Sequence, residues 1–412
     1  MGTTNYDVIV IGLGPAGIMA TLTLSQKGYR VLAIDRGKTY QMRDPQIPYD
    51  VANGFGGAGL FSDGKLSFFP AASNLWANLD KTEVKKAYLM LEEELKKIGY
   101  LIPQWKNNWT VRRRENKISK KVKRYRTQYF DRRTCDRFIQ HVYDQLSDKI
   151  LLEREVILVN KNAEGVYQVF LDTPTDIPLT SKAIILATGK VGNGIMDLFE
   201  NVSFKTHVRY EGGVRVETDC HNFKPYDLKQ IDYKYIETFP DKVEFRTFCC
   251  CKDGQVLESD YLNNVSFNGS ITPHSTGRSN IGLTVRVEDE SNPIAIEIKE
   301  CFNRQEEFVF DYNEKYDHNR EFLIGNTFDD IMFDRLDLII KSKAARYKTK
   351  IYGPEIEYFG SYPEFMWESL RISNEKIWVA GDLSAKFRGI IAALISGIYA
   401  ANNVDVSIGD TI

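Results

Sequence analysis

The sequence predicts an α/β chain: a three-layer domain on a parallel sheet, with a mixed β-sheet inserted into it. Three observations predict this. A β-branched run, Tyr6–Ile11, passes through a glycine turn into a helix and a second buried strand. Two later buried runs, AIILATG at Ala183–Gly189 and IWVAGD at Ile377–Asp382, end in small residues, as strands do at a nucleotide crevice. Between them, from about Phe204 to Tyr352, the pattern shifts to alternating strands such as GGVRVE, DKVEFRTFC and IGLTVRVED. The expected division is 1–203 and 353–412 for the first domain, and 204–352 for the inserted substrate domain.

The first forty residues carry the most specific chemistry. Tyr6–Ile11 has no polar alternation, so it suits a strand covered on both faces. Gly12 permits a tight turn, Gly14 lets backbone approach a pyrophosphate, and Gly17 lets helix and strand pack closely. Pro15 and Ala16 open the helix, whose bare N–H groups and dipole favour phosphate. The helix stops near Gly28, and Tyr29–Ile34 runs to Asp35 and Arg36. Asp35 stands where an acid can accept hydrogen bonds from a ribose.

The same turn serves either NAD or FAD, and later segments favour FAD. GFGGAGLFSDGKL at Gly54–Leu66 is a glycine-rich loop in which Gly56, Gly57, Ala58, Ser62 and Lys65 are candidate cofactor contacts. Ala187, Thr188 and Gly189 close the ATG strand, and Val156, within the strand expected over Glu153–Asn160, is a further candidate contact. Gly381 and Asp382 end the last strand, with Lys386, Arg388, Gly389 and Ile390 at the approach to the final helix. Asp382 suits flavin ribityl or phosphate oxygens, and the helix dipole suits negative charge at the flavin edge. No second G-x-G-x-x-G follows a strand, since Gly189, Gly192 and Gly194 have other spacings.

In order and content these motifs resemble the glutathione-reductase-type FAD superfamily. GGAGLFSDGKL is similar to the GGAGTFSDGKL loop of the largely uncharacterised FAD-dependent dehydrogenases. The resemblance is specific over the first seventy residues and at the ATG and GD strands. It is looser from Phe204 to Tyr362, where VRVE, FRTFC and NGS followed by Arg278 are the matching pieces. It implies a Rossmann-like FAD-binding domain and an oxidoreductase moving hydride between a small polar metabolite and flavin N5.

Asp80–Ile98 reads as a capped amphipathic helix, with Val84, Ala87, Tyr88, Leu91 and Leu95 on one face. Segment 111–126 carries nine basic residues against Glu115 alone, as either a solvated basic flap or a polyanion site. Cys135–Leu146 is a second amphipathic helix, 153–172 a β-hairpin, and Phe328–Ala345 a third helix. In the substrate domain, Arg246, His274 and Arg278 are the catalytic candidates. The arginines would fix substrate charge, and His274 is either a general base or a plain loop histidine. Cys249, Cys250 and Cys251 alternate along a strand, so they suit packing better than chelation, with one cysteine left free to face the flavin. No metal site is expected.

The formal net charge of -2 offers no global field for nucleic acid or membrane. The first strand begins too early for a signal peptide and no apolar run reaches about 18 residues, so a cytoplasmic protein is expected. The redox partner is left open between NAD(P)H and O2. Two other readings stand beside a small-molecule oxidoreductase: a flavoprotein acting on a nucleotide or nucleic acid, and a non-redox FAD protein.

Overall fold

The computed structural model describes residues 5–109, 111, 118–173, 177–262, 264–272, 274–312 and 323–405. The opening strand, Asn5–Ile11, lies inside a seven-stranded sheet. Val31–Asp35 and Leu179–Leu186 flank it in parallel, and Ile150–Leu152 runs parallel beyond Val31–Asp35. Ile377–Val379 returns from the far end of the chain to pair in parallel with Leu179–Leu186. The hairpin Val156–Lys161 and Tyr167–Leu171 completes the sheet in antiparallel fashion.

Alternation across the strand explains the unbroken apolar run. Val8 and Val10 pack under the helices Pro15–Gln26, Lys81–Lys97, Arg132–Leu146 and Ile390–Asn402. Ile9 and Ile11 point the other way, into a core with Val156, Val159, Val169 and Ile377. Both faces of the strand are therefore dry. Asp80 caps the helix Lys81–Lys97 by accepting the Thr82 and Glu83 N–H groups, each at 2.9 Å. Asp80→Ala should cost about 1 kcal/mol in chemical denaturation, since both donors lose their acceptor.

The inserted domain is a second seven-stranded sheet, antiparallel throughout. Its order is Phe308–Asp311, Lys350–Tyr358, Tyr210–Asp219, Arg278–Val287, Glu244–Cys251, Lys234–Thr238 and Ser119–Lys123. One face is an ordinary core, with Val214, Val216, Ile281, Leu283 and Val285 packed on Ile294, Ile298, Phe328 and Met332. The other face carries Glu211, Arg215, Glu244, Asn280, Thr284 and Glu355, and every one of them is buried. Burying charge is costly unless it is paired, so this face is the fold's least economical feature as structure and its strongest pointer to function.

Three expectations change. The strand Ser119–Lys123 of the basic segment belongs to the second sheet, because it pairs with Lys234–Thr238. That sheet's strand Lys350–Tyr358 also runs past the expected boundary at 352/353. Phe328–Ala345 is not one helix: Asn326–Phe333, a 3-10 turn at Leu336–Leu338 and a short helix at Lys343–Arg346 replace it. Ile340 makes a β-bridge with Phe223, which needs extended backbone.

Candidate functional site

A cavity of about 600 Å³ runs from the glycine turn, past the ends of the parallel strands, to the charged face of the second sheet. That volume is in the usual range for small-molecule and cofactor sites. At one end Gly12 takes φ +98, and a Cβ there would stand 2.5 Å from the Ala187 carbonyl oxygen. Gly17 has the same restriction for another reason: its Cβ would fall 1.8 Å from the Gly12 oxygen. Gly14 differs. Its φ of -70 is ordinary and its nearest neighbour would be 3.8 Å away, so the space beside it belongs to the cavity.

Asp35 holds this end together. Its Oδ2 accepts the Leu13 N–H at 2.7 Å, and its Oδ1 accepts those of Gly37 at 2.9 Å and Gly54 at 3.0 Å. A carboxylate offers about four acceptor positions, so one is left at the cavity. The glycine loop is held from behind by Arg43, which sequence reasoning missed. Its buried guanidinium donates to the carbonyls of Asp50, Val51, Phe55 and Gly57 at 2.8–3.1 Å. The first turn of Pro15–Gln26 presents N–H groups without intrahelical acceptors to the same space.

Among the expected cofactor contacts, Gly12, Gly14, Pro15, Ala16, Asp35, Arg36, Gly57, Ala58, Ser62, Val156, Ala187, Thr188, Gly189, Gly381, Asp382, Arg388, Gly389 and Ile390 line the cavity. Gly17 and Gly56 stand behind the wall; the Gly56 N–H donates to the Leu13 carbonyl at 2.9 Å. Lys65 is turned away into the protein, bound to Asp63 at 2.6 Å and Asp232 at 3.3 Å. Burial lowers its pKa, but Asp232 and Asp63 outweigh burial and hold it well above the ordinary value. Lys386 is also outside the lining, with Glu288 as its main acidic neighbour.

The other end of the cavity is built by residues the sequence did not single out: Lys190, Phe248, Tyr261 and Glu357, joined by Cys249. Lys190 pairs with Glu357 at 2.9 Å; burial and then Arg388 bring its pKa down to about 8. Arg388 reaches Glu211 at 2.9 Å and also contacts Glu357. Asp382 accepts a hydrogen bond from the Tyr358 hydroxyl, which opposes the rise that burial imposes on its pKa.

Of the catalytic candidates, Arg246 is nearest to this end, although it too is outside the lining. It pairs with Glu244 at 3.0 Å and lies 3.6 Å from Glu211, the carboxylate that Arg388 also holds. His274 and Arg278 lie outside the cavity. His274 is exposed on a loop. Arg278 is tied to Glu217 at 2.9 Å and Asp219 at 3.1 Å, a structural clamp at the sheet's end. Strict alternation of the three cysteines also fails. Cys249 adopts φ +47 in a bulge between Phe248 and Cys251, which turns its thiol toward Asp63 at 3.2 Å and onto the cavity wall. Burial, then Asp63, pushes that thiol up to about 12, so it stays protonated.

All six cysteines are free. Among the described residues there is no cluster of three or more potential metal ligands, and no helix is long and apolar enough to cross a membrane. In the basic segment, Arg112, Arg113, Arg114 and Lys117 lie outside the described residues. Lys120 pairs with Glu237 at 3.1 Å and Lys123 donates to the Ser73 hydroxyl at 2.7 Å, so this part of the segment is engaged by the protein itself.

Residues 6–198 match the family model described as pyridine nucleotide-disulphide oxidoreductase. An uncharacterised protein of Clostridium beijerinckii is 40% identical over 70 residues, and the match spans 14% of this chain and 13% of that protein. Among solved structures, CtdE in complex with FAD and a substrate is similar over 96% of this chain and 79% of its own, at 12% identity and a TM-score of 0.40. The FAD-bound form of OTEMO is similar over 46% of this chain and 26% of its own, at 16% identity and a TM-score of 0.27. The glycine turn, the acid beside it and the cavity beyond fit the matched model. Residues 6–198, just under half of the chain, are thus similar to an oxidoreductase domain of the pyridine nucleotide-disulphide type.

Proposed function

We propose that the whole chain is an FAD-dependent dehydrogenase or oxidase acting on a small polar metabolite. The observation that carries this reading is one continuous cavity joining a dinucleotide turn to a buried, charged sheet face. Gly12, Gly14 and the first turn of Pro15–Gln26 would hold the pyrophosphate, and Asp35 the adenosine ribose. Asp382, Gly389 and Ile390 would hold the ribityl chain and ring edge. The bound flavin supplies hydride-accepting chemistry at N5.

The protein's own part is orientation, exclusion of water and proton handling. Phe248 and Tyr261 wall off the far end, while Arg388 and Lys190 present positive charge there. Lys190 loses its proton near pH 8, in the range where a group can both hold and release one. The protonated Cys249 thiol is a hydrogen-bond donor at the wall and not a nucleophile. NAD(P)H is the first electron partner to test, with O2 the second, because the matched model concerns pyridine-nucleotide enzymes.

Anaerobic mixing of FAD-loaded protein with NAD(P)H and a panel of small acids, amines and alcohols tests the reading. Bleaching of the flavin by a member of the panel is expected, with a rate whose pH profile has a limb near pH 8 that shifts in Lys190→Arg. A flavin that no donor bleaches would count against redox turnover and favour a non-redox role.

A further inference from the structure

Among the described residues, Lys234 is a cation of the charged face with no carboxylate at ion-pair distance. Lys234 is only 9% exposed, and among the described residues its ammonium has no hydrogen bond and no carboxylate within ion-pair distance. Its contact is the face of Phe248, 5.7 Å from the ring centroid. The nearby acids are already engaged. Asp232 is bound by Lys65 and by the Tyr125 hydroxyl, and Asp63 by Lys65 and the Cys249 thiol. On the other side, Arg209, Arg246, Arg286, Arg388 and Lys190 share three carboxylates, Glu211, Glu244 and Glu357. Burial, followed by Arg246 and Arg388, pushes the Lys234 pKa well below the ordinary lysine value against the opposing Glu211 and Asp232, so an anion arriving from outside would favour the charged ammonium.

Lys234 and Arg246 stand behind the cavity lining, and Phe248 links this group to the cavity. Its ring lines the wall and is faced by Arg388 at 4.5 Å as well as by Lys234. It packs against Gly282, where a Cβ would come within 2.1 Å of the ring, so the neighbouring strand limits its position. A fixed aromatic face with cations around it suits a ligand having an apolar body and an anionic end. One cation without a partner asks for one negative charge, which favours a carboxylate over a phosphate.

We propose that Lys234, with Arg388 and Arg246, is the subsite for a carboxylate group of the substrate, whose apolar remainder lies along Phe248. This rests on the FAD reading above and adds the substrate class. The probes are benzoate, its neutral analogue benzamide and inorganic phosphate, titrated into FAD-loaded protein with the visible flavin spectrum as the readout. Benzoate should perturb the flavin saturably and bind at least about tenfold more tightly than benzamide or phosphate, a difference of about 1.4 kcal/mol. Lys234→Met should weaken benzoate by about tenfold or more and leave benzamide unchanged, while Lys234→Arg should keep benzoate within about threefold.

Equal binding of benzoate and benzamide by the parent protein overturns the subsite, as does tighter binding of phosphate or the absence of any saturable change. A flavin-loaded Lys234→Met protein with unaltered benzoate affinity overturns it too. In all these cases the FAD reading stands. A chain that retains no flavin overturns both.

Discussion

Glu211→Gln is expected to destabilise the protein by about 3–5 kcal/mol, the largest effect of any single isosteric change proposed for this chain. Glu211 is fully buried, and its carboxylate meets Arg209 at 2.5 Å, Arg388 at 2.9 Å and Arg246 at 3.6 Å, with the Thr284 hydroxyl donating at 3.2 Å. An amide leaves the buried Arg209 guanidinium without its anion and takes one of two carboxylates from each of Arg388 and Arg246. Burial alone would push the Glu211 carboxyl up. Arg388, then Arg209 and Arg246, outweigh burial and hold it well below the ordinary value. A depressed folded pKa stabilises the protein above the unfolded pKa of about 4.3, and that contribution fades as pH falls toward the folded value. Denaturation midpoints measured across the acid range should therefore fall less steeply for Glu211→Gln than for the parent. Equal slopes and a small loss at pH 7 would show that Glu211 is not the hub of the ionic layer.

The glycine turn separates fold from ligand in one pair of variants. Gly14→Ala should fold normally, because its backbone angles suit alanine and its Cβ meets nothing closer than 3.8 Å. The added methyl projects into the cavity, and FAD affinity should fall by about tenfold or more, about 1.4 kcal/mol. Gly17→Ala should lose stability and FAD together. Its Cβ would sit 1.8 Å from the Gly12 carbonyl oxygen, a backbone atom that cannot swing aside, at a cost of about 1–3 kcal/mol or more. Flavin titration and chemical denaturation of both proteins provide the check. Gly14→Ala with undiminished affinity would mean that the phosphates lie elsewhere.

The dinucleotide end was legible because local spacing alone dictates it. Strand, turn, helix, strand and acid are contiguous, and their order settles the geometry from Tyr6 to Asp35. The charged end of the cavity was not, because its residues meet only through tertiary packing. Glu211, Arg246, Phe248 and Glu357 come from three strands of the second sheet, and Arg388 from the other domain. One clue was in view. Glu211, Arg215 and Glu217 share one parity along their strand, as do Glu244 with Arg246, and Asn280 with Thr284 and Arg286. Such alternation normally marks a solvated face, and only the structure shows that this one is covered. His274 and Arg278 were chosen by residue type in a loop, and type alone does not say which way a loop faces. Arg43 left no trace in the pattern, since a side chain that binds four carbonyls reads as an ordinary surface arginine.

The most direct test is the molar ratio of flavin to protein after the chain is incubated with excess FAD and freed of unbound ligand by gel filtration. One FAD per chain, released only on denaturation, is the predicted result. A protein that emerges with no flavin would contradict the assignment of the cavity between the glycine turn and the charged sheet.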